Sequence, residues 1–92
     1  MPSTSSRKIL VVEDERDIAE LIALHLSDLP ADITVASEGL RGLQFALQQP
    51  WDAIVLDLRL PGMNGLDLCR ELRAKLSHVP ILMLTEIGRA HV

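Results

Sequence analysis

Four short apolar runs alternate along the chain with three segments whose apolar residues recur at helical spacing, and this alternation constrains the fold more than any other feature. The runs occupy residues 8–12 (KILVV), 33–36 (ITVA), 52–57 (DAIVLD) and 81–84 (ILML). Near-continuous Ile, Leu and Val is the pattern of strands buried on both faces. Between the first two runs, residues 14–29 place Ile18, Leu21, Ile22, Leu26 and Leu29 mostly three and four positions apart. That spacing predicts an amphipathic helix with Asp14 or Glu15 near its cap, acids in its first turn and Pro30 as its stop. Ser37-Glu38-Gly39 turns into a second helix over residues 40–49, ended by Pro50. A third helix starts at Gly65, with Leu66, Cys69, Leu72 and Leu76 on one face, after a loop punctuated by Pro61 and Gly62. The order βαβαβαβ demands an α/β fold: a mostly parallel, doubly wound sheet with right-handed crossovers and helices on both faces.

With 92 residues the chain makes one small domain, burying roughly 60% of its unfolded surface or a little more. Its apolar runs stop at about four residues, far short of a membrane span, and residues 1–7 are polar without the apolar stretch of a signal peptide. That segment is expected to be a disordered tail. One cysteine excludes an internal disulfide and fits a reducing cytoplasm. The net charge is −4 and the nine basic residues are scattered, so no direct nucleic-acid contact and no membrane association is expected of this segment.

Ligands of open parallel sheets bind outside the carboxyl ends of the strands. Those ends carry Glu13 and Asp14 after the first strand, Asp57 at the close of the third and Thr85 at the close of the fourth. In the doubly wound strand order 2-1-3-4, the first and third strands are neighbours and three carboxylates converge. Acids at strand ends are often merely solvated, but three together repel unless a cation shares their site. An all-oxygen donor set suits Mg²⁺. Asp57, delivered straight from the core by residues 53–56, is the best candidate for a carboxylate nucleophile that forms an aspartyl phosphate. Thr85 is placed to hydrogen-bond such a phosphate.

The stretches KILVVEDE (8–15), VLDLRLPGMNG (55–65) and PILMLT (80–85) resemble the receiver domains of bacterial two-component response regulators, in register from about Arg7 to Thr85. The resemblance implies a flavodoxin-like receiver fold in which Asp57 takes a phosphoryl group from a sensor histidine kinase. It further implies Mg²⁺ bound by Asp14, Asp57 and the backbone carbonyl of Arg59, with Glu13 acting directly or through water. Thr85 would be the switch hydroxyl, and Pro61, Gly62 and Gly65 would shape the loop after the acceptor. The family continues with a fourth helix, a fifth strand bearing a Lys followed by Pro, and a fifth helix. None is present here, so residues 8–85 are expected to form a partial receiver with its last strand left as an apolar edge.

The ending IGRAHV does not follow the family pattern. A common sequencing-library adapter, read in one frame, encodes the same peptide and then a stop, so residues 86–92 are expected to be non-native. The wording of the loop and last strand resembles receivers attached to winged-helix DNA-binding domains. This implies an output domain absent here, a role in transcription regulation and a homodimer in the full-length protein.

The alternatives differ in class. A dehalogenase-like phosphohydrolase would carry a second Asp two residues after its nucleophile, where this chain has Arg59. A phosphorylation-incompetent fragment or pseudo-receiver, acting only as an interaction module, would follow from the missing Lys. No enzyme activity is expected beyond self-phosphorylation and self-dephosphorylation. Elsewhere, His25 is expected to be partly buried on the first helix, Cys69 an apolar filler and Trp51 a cover for the lower edge of the sheet. Arg70, Arg73 and Lys75 read as the wet face of the third helix.

Overall fold

The computed structural model describes residues 7–60 and 63–84. Expectations for Thr85, Pro61, Gly62 and residues 86–92 lie outside the described residues. Among the described residues seven elements follow one another: β1 (Arg7–Val12), α1 (Arg16–Leu26), β2 (Ala31–Ala36), α2 (Gly39–Gln48), β3 (Ala53–Asp57), α3 (Gly65–Lys75) and β4 (Ile81–Leu84). All strand pairs are parallel, in the order β2-β1-β3-β4. This is the doubly wound sheet that the alternation of patterns predicts.

The strand period of two sends alternate residues of each run to opposite faces. Leu10, Val12, Ile54 and Leu56 point toward α2 and α3 and form the main core with Ala46, Leu68 and Leu72. Ile9, Val11 and Val55 point the other way and meet Ile22 and Leu26 of α1. Trp51 is half-buried against the main core, its Nε1–H donating to the Phe45 carbonyl at 2.9 Å. The β1–β3 ladder is carried past the strand end by Asp52. Its N–H donates to the Lys8 carbonyl at 2.8 Å, and its Oδ2 accepts the Lys8 N–H at 2.7 Å.

Several boundaries and faces differ from the pattern. Arg7, expected in a tail, is the first residue of β1, held by its N–H to the Pro30 carbonyl at 2.9 Å. Helix α1 is shorter than the predicted 14–29: Glu15 is extended at its N-cap, and Ser27 ends it by donating its hydroxyl to the Leu24 carbonyl. Its inward stripe is Ala19, which is buried, with half-buried Ile22 and Leu26, while Leu21 and Leu29 face solvent. His25 lies off that stripe, so it is exposed rather than partly buried, and its Nδ1 meets the Leu21 carbonyl at 2.9 Å.

Helix α3 keeps Cys69, Leu72 and Leu76 of the expected face against the main core, but its phase is shifted toward Leu68, which is fully buried while Leu66 is exposed. Two stripes three and four residues apart share Leu72. Close approach of Gly65 to residues 57–58 selects the one that contains Leu68. Helix α2 stops at Gln48 because Gln49, preceding Pro50, is forced into extended backbone.

Candidate functional site: an acidic cleft at the carboxyl edge of the sheet

Residues leaving the carboxyl ends of β1 and β3 build the site. Val12 pairs with Leu56, so the next residues, Glu13 and Asp57, emerge side by side from the two central strands. The Glu13 N–H donates to the Ala36 carbonyl at 3.0 Å, carrying the β1–β2 ladder one step further. Glu13 and Asp57 are buried, at 1% and 0% exposure, whereas Asp14 faces solvent. One carboxylate oxygen from each of Glu13, Asp14 and Asp57 lies within 4.8 Å of the others.

Backbone amides orient the two buried carboxylates. Glu15 N–H donates to Glu13 Oε2 at 3.0 Å, and Arg59 N–H donates to Asp57 Oδ1 at 3.1 Å. Both donors sit two residues after the acid they hold, so each chain turns sharply as it leaves its strand. Gly65 N–H donates to the Leu58 carbonyl at 2.9 Å, which docks the start of α3 beside Asp57. A side chain there would not fit: a Cβ on Gly65 would stand 2.6 Å from Leu58 Cα and closer still to the Asp57 carbonyl oxygen. Asn64 caps α3, its Oδ1 accepting the Asp67 N–H at 2.9 Å. An open groove of about 370 Å³ adjoins the cluster, lined by Glu13, Asp14 and Ser37 with Arg16 and Ala19 of α1.

The sequence pattern anticipates the meeting of Glu13, Asp14 and Asp57. It does not reveal the amides of Glu15 and Arg59, because a backbone donor leaves no mark in residue type. Asn64 did carry a signal, an Asx residue three positions before an acid at a helix start.

Chemically, three carboxylates this close repel one another, and a divalent cation relieves the repulsion. Hard oxygen donors, one of them open to solvent, fit Mg²⁺, which binds through few carboxylates and retains waters. The donor set therefore suits the ion.

Fold and site together define a parallel, doubly wound α/β domain with an acidic cleft at its topological switch point. The chain matches the response regulator receiver domain family over residues 9–91 and belongs to that family. Receiver domains are signalling modules. Response regulator ArlR of Staphylococcus epidermidis is 42% identical over 77 residues, covering 84% of this chain and 35% of that protein. DNA-binding response regulator MtrA of Mycobacterium tuberculosis is 44% identical over 82 residues, covering 89% of this chain and 36% of that protein. The chain thus spans about a third of the length of these curated relatives.

Among solved structures, response regulator TrrA of Thermotoga maritima in complex with Mg²⁺-BeF superposes with a TM-score of 0.83 at 34% identity. That match covers 87% of this chain and 70% of TrrA. TrrA in complex with histidine kinase ThkA superposes with a TM-score of 0.80 at 34% identity, over 86% of this chain and 68% of that one. Among the described residues, no helix is long and apolar enough to cross a membrane.

Proposed function

We propose that the chain is the phosphoaccepting part of a receiver, with Asp57 as the residue that takes a phosphoryl group from a sensor histidine kinase. The observation that carries this reading is the convergence of Asp57 with Glu13 and Asp14 at the centre of the carboxyl edge. The magnesium complex of TrrA and its complex with a kinase support it.

A carboxylate oxygen of Asp57 would form the new P–O bond as the P–N bond of the donor phosphohistidine breaks. The Arg59 N–H holds the carboxylate in one orientation, and the buried, low-dielectric surroundings strengthen that contact. Asp14, Asp57 and the Arg59 carbonyl would hold Mg²⁺, with Glu13 binding directly or through water. When bound, the ion offsets the charge that develops on the transferring phosphoryl group. Thr85 would serve as the switch hydroxyl, and Pro61, Gly62 and Gly65 would set the course of the loop that follows the acceptor.

For the full-length protein we infer a DNA-binding output, the reading that the likeness to DNA-binding response regulator MtrA supports. The winged-helix class of that output, a homodimer and a cytoplasmic location follow only from the family resemblance of the sequence. Residues 86–92 we read as non-native, a point decided by comparing the reading frame with genomic DNA at the locus.

Incubation with a small acyl phosphate and Mg²⁺, followed by intact-mass measurement, tests the assignment. One phosphoryl group should be gained and then released by base. Asp57→Asn should abolish the gain and Asp52→Asn should keep it. An unmodified wild-type chain overturns the reading and leaves an interaction module in its place, and a phosphate that survives Asp57→Asn overturns the assignment of Asp57 as the acceptor.

A further inference from the structure

Glu13 does more than contribute charge to the cluster. It is 1% exposed, and its Oε2 accepts the N–H of Glu15 at 3.0 Å. Glu15 is the N-cap of α1, yet its own side chain makes no capping hydrogen bond. Its carbonyl accepts the Ala19 N–H at 2.9 Å, the bond that opens the helix, and Ala19 is buried. The start of α1 is therefore tethered to a carboxylate of the cluster, placed where a negative charge also suits the helix dipole.

Resting on the reading of the cluster as a cation site, we infer that Glu13 is a positioning residue that couples cation occupancy to the first turn of α1. Without a cation, Asp14 and Asp57 repel Glu13 from within 4.8 Å and work against its hold on the Glu15 amide. A cation removes that repulsion, so Glu13 stays in place, the amide hydrogen bond tightens and the first turn opens less often. Information about the ion thus reaches a helix surface through one carboxylate. Asp14, exposed and next in sequence, contributes charge to the same cluster from the solvent side.

Two readouts on the 92-residue chain test the coupling: amide hydrogen exchange by NMR with and without Mg²⁺, and Mn²⁺ affinity by electron paramagnetic resonance. In wild type, saturating Mg²⁺ should slow exchange of the Glu15 amide by about threefold or more. Glu13→Gln keeps an acceptor at the same reach. Its cation-free exchange should match wild type within about twofold, while Mn²⁺ binds about tenfold more weakly and Mg²⁺ no longer slows the amide. Glu13→Leu should raise cation-free exchange at Glu15 about tenfold. Protection restored by Gln without restored affinity separates positioning from a plain packing role.

A Glu15 amide indifferent to Mg²⁺ while Mn²⁺ is bound overturns the coupling and leaves the cation site standing. If Glu13→Leu does not fold, the wild-type titration and Glu13→Gln still decide. No Mn²⁺ binding by wild type overturns the cation reading itself, and the coupling with it.

Discussion

Gly65→Ala probes the contact on which both the fold and the site depend. The added Cβ would stand 2.6 Å from Leu58 Cα, 3.0 Å from the Asp57 carbonyl carbon and nearer still to its oxygen. These are backbone atoms, so no rotamer change relieves the contact. The start of α3 and the end of β3 must separate by about an ångström to reach ordinary contact distance. At an unhindered helix start the same substitution would stabilise by about 0.4–1 kcal/mol through the unfolded chain. Overpacking costs about 1–3 kcal/mol, and a backbone clash belongs at the upper end, so the net expectation is a loss of about 2 kcal/mol. A chain of this size holds roughly 5–10 kcal/mol in total.

With a urea m-value of about 1 kcal/mol/M, the unfolding midpoint should fall by about 2 M. The single tryptophan, Trp51, packs half-buried against the main core and reports the transition by fluorescence. Because the strained atoms belong to Asp57 and Leu58, Mn²⁺ affinity should fall in the same variant. A midpoint that stays level or rises refutes the packing argument and, with it, the account of why α3 adopts its phase.

Other substitutions test separate parts of the structure. Leu72→Ala, at a fully buried position, should cost about 2–5 kcal/mol, read as a urea midpoint lowered by about 2–5 M in unfolding followed by circular dichroism. Trp51→Phe keeps an aromatic side chain but removes the Nε1–H donor to Phe45 and part of the indole's packing volume, so thermal unfolding should report a loss of at least about 1 kcal/mol. Leu82→Lys changes a residue 64% exposed on the edge strand; stability should move by less than about 0.5 kcal/mol while self-association in sedimentation velocity declines. Sedimentation identical to wild type would show that the β4 edge is not the adhesive surface.

Much of this domain can be read without coordinates. Periods of two and near 3.6 are local properties of the chain, so the order of strands and helices follows from residues 8–84 directly. Strand ends are equally local. Val12 and Leu56 close apolar runs, and the acids that follow them must emerge at the carboxyl edge wherever the strands lie. Boundaries were less legible. The apolar spacing of α1 continues to Leu29, but its packing against the sheet ends at Leu26, and the backbone follows packing rather than spacing.

By itself, then, the sequence determined the α/β alternation and the delivery of Glu13, Asp14 and Asp57 to one edge, because each depends only on residues close along the chain. Tertiary structure alone decided which acids are buried, which amides hold them and which stripe of α3 faces inward. Leu66 and Leu68 are equally apolar, and only the docking of Gly65 on residues 57–58 tells them apart. Glu13 and Asp14 are adjacent acids, and only the ladder bond to Ala36 carries the first into the sheet while the second turns to solvent. Such choices rest on contacts between segments distant in sequence, which local patterning does not encode.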